Sequence, residues 1–206
     1  MVSLSDRLAE RGMPSVLAQL EHPTVAGIGR GDLDPAVFRS WLEQDYLFLL
    51  DYVRVFSRLA WQAPDQHVGD LVDLAHSTWH EELTLHRELA AGFDADLAGA
   101  VKGPVTTAYT AFLLHAAADY GRGLAALLPC MWGYSTLGQL LAKDPPAEPR
   151  YARWVGTYAD PGFAELARRC AAMLDEAHAA GLVDEPTATA AFDEALGHEL
   201  AFWDVP

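Results

Sequence analysis

Apolar residues in this chain recur at helical spacing and hardly anywhere alternate with a period of two, and the breaks between stripes fall at Pro, Gly and Asp clusters. A half-buried strand needs alternation, whereas a helix packed on a core needs a stripe repeating every 3.6 residues. The pattern therefore predicts an all-α, multi-helix bundle. At 206 residues the chain suits one domain over residues 1–206, large enough to enclose a pocket.

The breakers place the helices. A first helix is expected from Ser3 to Leu20, with a break before Pro14 and an end at Glu21-His22-Pro23, because the residue before proline is pushed out of the α region. A loop from Gly27 to Asp32 follows. Asp34-Pro35 reads as the N-cap and first-turn proline of a long helix reaching Pro64. Further helices are expected over about 67–91, from Gly103-Pro104, after a turn at Gly121-Arg122-Gly123, over 150–158, from Asp160-Pro161 and from Glu185-Pro186.

Chemistry-bearing residues interrupt these stripes. Asp45 sits among Trp41, Phe48 and Leu49, so helical spacing either carries its carboxylate inward or leaves it at the wet edge of the stripe. Glu199 stands in the same way within Phe192, Leu196, Phe202 and Trp203. Cys130 follows a proline in the apolar run Leu127 to Tyr134 and shares a helical face with Tyr134. A helix-interior proline costs about 3 kcal/mol, so Pro129 is expected to shape the backbone beside the thiol. A free cysteine can be a small buried hydrophobe, the role that spacing gives Cys170 beside Phe163, Leu166 and Leu174. A thiol with two inward carboxylates instead suits covalent catalysis, with a carboxylate managing the protons because no histidine neighbours Cys130.

Composition narrows the partners. The formal charge of −15 disfavours nucleic acid and anionic membranes. The N-terminus lacks a basic, then apolar, leader, and no run of apolar residues is long enough to span a bilayer, so a cytoplasmic location is expected. Cys130 and Cys170 form no disulfide framework and are expected as reduced thiols. His76, His80, Glu82 and His86 invite a metal, yet they lack the H-E-x-x-H pattern, and no Glu-x-x-His occurs in the chain. They are read as a solvated or hydrogen-bonded face, with no metal or other cofactor.

Several segments together resemble the TenA/THI-4 family, the thiaminase II or aminopyrimidine aminohydrolases. They are His22-Pro23, Gly31-Asp32-Leu33-Asp34-Pro35, Trp41-Leu42-x-Gln44-Asp45-Tyr46, Thr107-Ala108-Tyr109-Thr110, Leu128-Pro129-Cys130-x-Trp132-x-Tyr134, Trp154-x-x-x-Tyr158 and Glu199-x-x-Phe202-Trp203. The resemblance covers nearly the whole chain and implies a haem-oxygenase-like fold, a small-molecule aminopyrimidine or thiamin as substrate, and a homotetramer. It makes Cys130 the nucleophile, Glu199 the acid/base that also contacts the pyrimidine, and Asp45 the group binding the ring's amino and nitrogen edge. Tyr109 and Tyr158 would line the pocket and stack there, with Tyr134 near the thiol. Phe48 stands where a tyrosine is often found, keeping an aromatic wall but removing a hydroxyl.

Two other functions compete. A haem- or iron-dependent oxidase on the same fold would use His22 as an axial ligand, or the cluster from His76 to His86. A non-catalytic regulator is disfavoured because buried Asp45 and Glu199 would be costly with no ligand to satisfy them.

Overall fold

In the computed structural model, which describes residues 2–205, a capping box between Ser3 and Asp6 opens α1 (Leu4–Glu21). This helix runs unbroken through Pro14, against expectation. Glu10 and Pro14 are both exposed, so the carbonyl that loses its partner there faces water. His22 closes α1 and caps α2 (Pro23–Arg30), so most of the expected loop is helical up to Gly31, which ends α2 in the left-handed conformation at φ +76°. The Asp34 carboxylate accepts from the Ala36 amide at 2.8 Å and caps α3 (Pro35–Gln62), as the sequence predicts.

The helix expected over 67–91 is three pieces: α4 (Asp65–Ser77), a π-helical turn (Thr78–Glu82) and α5 (Leu83–Gly92). After α6 (Pro104–Ala116), α7 (Tyr120–Leu128) runs into a second π-helical turn (Pro129–Gly133) and then α8 (Tyr134–Leu141). The chain ends with α9 (Pro149–Tyr158), α10 (Pro161–Ala179) and α11 (Glu185–Phe202). No strand occurs among the described residues.

Gly121 and Gly123 do not form the expected turn. They lie inside α7, which Asp119 caps. A Cβ at Gly121 would come within 2.5 Å of Val183, and one at Gly123 within 2.6 Å of Leu59. Gly123 therefore lets α3 approach closely, and Gly121 the connection between α10 and α11.

Helix α3 is the strut of the bundle, with α4, α5, α6 and α7 packed around it, while α11 lies against α1, α6 and α7. Trp41 of α3 stacks on Trp203 with ring centroids 5.3 Å apart and meets Trp154 edge-on at 5.8 Å. This aromatic wedge anchors the α3 face that carries Asp45 and Phe48. Trp203 Nε1 donates to Gln19 at 3.0 Å, whereas the indole N–H groups of Trp41 and Trp154 are buried without acceptors among the described residues. An unmade bond of that kind costs about 1–3 kcal/mol, which the burial of the stacked rings offsets.

Candidate active site

Two adjoining voids lie between α3, α6, the second π turn, α9 and α11. Asp45, Phe48, Cys130 and Tyr134 line both; Tyr158 completes the first, and Tyr109 and Glu199 the second. All seven residues singled out in the sequence thus face one chamber. It is tight: the freely accessible volume of the larger void, about 10 Å³, is on the scale of one water molecule. Phe48 lies between Tyr52 and Tyr109, with centroids 5.3 and 4.9 Å away, and Tyr134 packs on Tyr158 at 5.0 Å. The walls are therefore aromatic and the polar groups few, the composition of a pocket for a flat, polar-edged ring.

Asp45 settles inward, only 4% exposed, and it is not unpaired. His86 Nε2 lies 2.5 Å from its Oδ2, while His86 Nδ1 donates to the Glu82 carbonyl at 2.9 Å. Since Nδ1 must carry a hydrogen to meet a carbonyl, Nε2 faces an ionised Asp45 with a hydrogen only as imidazolium. Burial works against that charge, but Asp45's charge and hydrogen bond, with Glu82 adding to them, raise the His86 pKa overall. His86 thus holds Asp45 in place from behind and leaves Oδ1 without a hydrogen-bond partner among the described residues.

Glu199, 2% exposed, accepts a short hydrogen bond from the Tyr109 hydroxyl. Burial pushes its pKa up to about 8, the Tyr109 bond opposing and the Asp45 charge adding. Cys130 is pushed well above an ordinary thiol, first by burial and then by the charges of Glu199, Glu82 and Asp45, with the nearby Tyr52 hydroxyl opposing them. No Lys, Arg or His lines the chamber to hold a thiolate. The Cys130 thiol is therefore neutral at rest. Glu199, raised to about 8, shares its void with Cys130.

Sequence reasoning missed Tyr52, His86 and Glu82. Tyr52 of α3 donates to the Leu127 carbonyl at 3.0 Å and thereby sits against the cysteine turn. His86 and Glu82, read as part of a solvated or hydrogen-bonded face, point inward, whereas Trp79 and Val72 of the same stretch are 45% and 53% exposed. The inward face runs Leu74, Thr78, Glu82, His86, Ala90 in steps of four. An α-helix drifts by about 40° over each such step, and the π turn at Thr78–Glu82 takes up that drift. The signal lay in the spacing from Leu74 to His86, which a 3.6-residue period does not follow.

The structure also bears on the competing functions. Asp45 and Glu199 already have protein partners, so their burial does not by itself demand a ligand. At His22, Nδ1 accepts from the Thr24 amide at 3.3 Å and Nε2 meets Asp204 at 3.0 Å, which leaves neither nitrogen free as an axial ligand. His76 and His80 stack on each other at 4.4 Å, apart from the buried His86–Asp45 pair. Among the described residues no three His, Cys, Asp or Glu side chains are grouped to hold a metal ion, and no helix is long and apolar enough to cross a membrane.

The profile of the TENA/THI-4/PQQC family matches residues 14–205. The chain belongs to that family. An aminopyrimidine aminohydrolase of Halalkalibacterium halodurans is 36% identical to it over 217 residues, covering 99% of this chain and 95% of its own length. The TenA homologue protein from P. horikoshii OT3 superposes with a TM-score of 0.90 at 24% identity, over 98% of this chain and 97% of its own. A domain of unknown function with a heme oxygenase-like fold from Shewanella denitrificans superposes at 0.76 with 13% identity, over 96% and 89%. These two likenesses establish the fold, a haem-oxygenase-like helical bundle.

Proposed function

We propose that this chain is a thiamin-salvage hydrolase of the thiaminase II type. It converts 4-amino-5-aminomethyl-2-methylpyrimidine and water to hydroxymethylpyrimidine and ammonia, and acts on thiamin by the same chemistry, through a covalent intermediate on Cys130. The observation that carries this is the convergence of Cys130, Glu199, Asp45 and an aromatic wall on one closed chamber, in a chain 36% identical over nearly its full length to an aminopyrimidine aminohydrolase.

Each residue has a task its environment suits. Asp45, steadied by His86, binds the ring's amino and nitrogen edge, and Phe48, Tyr109 and Tyr158 sandwich the ring, with Tyr134 beside the thiol. Glu199 takes the Cys130 proton as sulfur bonds to an electron-poor ring carbon, then passes a proton to the ring or the departing amine. The bond from methylene to nitrogen breaks with its electron pair going to nitrogen. Water adds its hydroxyl to the exposed methylene, sulfur leaves the ring, and the proton count closes at Glu199. No cofactor is required. A homotetramer, a cytoplasmic location and a single domain over 1–206 belong to the same proposal.

The test is release of ammonia and hydroxymethylpyrimidine from the aminomethylpyrimidine, measured beside thiamin cleavage at equal enzyme. One-to-one product formation at a rate exceeding that on thiamin is expected. An inactive protein on both compounds, or an iron-dependent oxidation by the purified chain, would refute it.

A further inference from the structure

His198 stands directly before Glu199 on α11, and side chains of consecutive helical residues point about 100° apart. Glu199 turns into the chamber, whereas His198 lines neither void and is only half-buried. Its imidazole lies flat on the Tyr109 ring, with centroids 5.1 Å apart and planes 9° from parallel. It also meets Phe112, one turn further along α6, at 5.1 Å. Two consecutive residues of α11 thus grip one tyrosine: His198 takes the ring and Glu199 takes the hydroxyl. From the chamber side, Phe48 touches the same phenol at 4.9 Å.

Neither ring nitrogen of His198 has a hydrogen-bond partner among the described residues, so its contact with α6 is made by the stack. Burial lowers its pKa, with only the Glu194 charge, one turn earlier on α11, opposing. Where Glu199 titrates, near 8, His198 is therefore a neutral, flat ring.

We propose that His198 is a positioning residue: it fixes the plane of Tyr109 so that the phenol hydroxyl stays directed at Glu199. For turnover the inference rests on the aminohydrolase reaction proposed above; for the Glu199 carboxyl it rests on the geometry alone. A tyrosine hydroxyl lies at the far end of its ring, so a tilt of the ring that breaks the stack also swings the hydroxyl off the carboxylate, and a hydrogen bond weakens steeply once it leaves its line. The Tyr109 bond opposes the effect of burial on Glu199. Loosening the ring therefore lets Glu199 rise further. The other charge that acts on it, Asp45 on α3, lies away from this change and keeps its effect. An aliphatic side chain at 198 would fill the space without setting a plane, whereas Phe would keep the plane and discard the nitrogens.

The experiment follows the Glu199 carboxyl through pH by isotope-edited NMR of glutamate carboxyl carbons, assigned by its absence in Glu199→Gln, with the kcat–pH profile measured beside it. In His198→Ala, and in His198→Leu, the Glu199 midpoint is expected to rise by about half a pH unit or more, roughly a threefold change in its ionisation ratio. The kcat limb should move with it, and KM for the aminomethylpyrimidine should stay within about twofold. His198→Phe should bring midpoint and kcat back to within about twofold of wild type. Tyr109→Phe should raise the midpoint by itself, and adding His198→Ala to it should change nothing further. An unmoved midpoint in the Ala and Leu variants overturns the inference, as does a further rise in the double variant or a Phe variant no better than Ala; if His198→Ala does not fold, the Leu variant decides in its place. A wild type that shows the Glu199 titration but does not turn over the aminomethylpyrimidine would instead bring down the proposed reaction, and the NMR midpoints would still decide the hold of His198 on Tyr109.

Discussion

Asp45 and His86 are buried together and behave as one unit, so their substitutions should not add. Asp45→Asn is expected to weaken hydroxymethylpyrimidine binding by about 2–3 kcal/mol, the scale of a lost buried charge-assisted bond. His86→Gln should lose much of the same energy although it lines neither void, because Asp45 then loses its support. Calorimetry on the double variant should give less than the sum of the two; strict additivity would show that His86 acts elsewhere. For Glu199→Gln a fall in kcat of about 10²–10⁴ is expected, the range for one general acid/base. The limb of the pH–rate profile that Glu199 sets, near 8, should vanish with it. A variant that keeps this limb and turns over within about threefold of wild type would make Glu199 a structural carboxylate. Asp45, Glu199 and Cys130 stood out in the sequence because an acid in an apolar stripe and a cysteine behind a proline are local exceptions, whereas the pocket roles of Phe48, Tyr109 and Tyr158 came from the family resemblance. The pairings did not stand out: Tyr109 reaching Glu199 and His86 reaching Asp45 are contacts between distant helices that periodicity does not encode.

Both π turns stand at the chamber, one ending on Glu82 and the other carrying Cys130. Such turns are rare in proteins and concentrate at functional sites. Pro129 explains the second. It has no N–H to give to the carbonyl four residues back and its ring crowds that oxygen, so the helix widens there and aims the thiol at the chamber. Pro129→Ala is expected to stabilise the fold by about 1–3 kcal/mol, by restoring a helical bond, while lowering kcat by about tenfold or more through misplacement of sulfur. Denaturant titration beside steady-state kinetics checks both signs, and a loss of stability with unchanged kcat would contradict the role given to the turn. Helix starts were readable because Asp-Pro and Gly-Pro pairs act within one turn of chain. The errors fell where the backbone departs from 3.6 residues per turn, or where a breaker residue serves packing instead: Pro14 stays helical because its orphaned carbonyl is wet, and Gly121 and Gly123 are small to admit Val183 and Leu59.

For the molecule as a whole, Glu82, Glu199 and His86 all titrate above their ordinary values. Each therefore binds more protons folded than unfolded between about pH 5 and 8, so stability should fall as pH rises through that window, by a few kcal/mol in order of magnitude. Glu199→Gln removes one of these groups, so it should flatten the fall and be the more stable protein at pH 8, an instance of stability given up for function. Thermal unfolding across pH reads this directly; a wild type that gains stability from pH 5 to 8 would contradict it. The central claim, however, is covalent chemistry on one of two cysteines. Cys170 is wholly buried and pushed up to about 12 by that burial, out of reach of any substrate, whereas Cys130 lines the chamber. The most direct test is to quench turnover of the aminomethylpyrimidine with acid and measure peptide masses. The prediction is a pyrimidylmethyl adduct on the peptide holding Cys130, none on that holding Cys170, and neither adduct nor turnover in Cys130→Ser. A Cys130→Ser protein that still releases ammonia within about threefold of the wild-type rate, well inside the loss expected for a missing nucleophile, would contradict it.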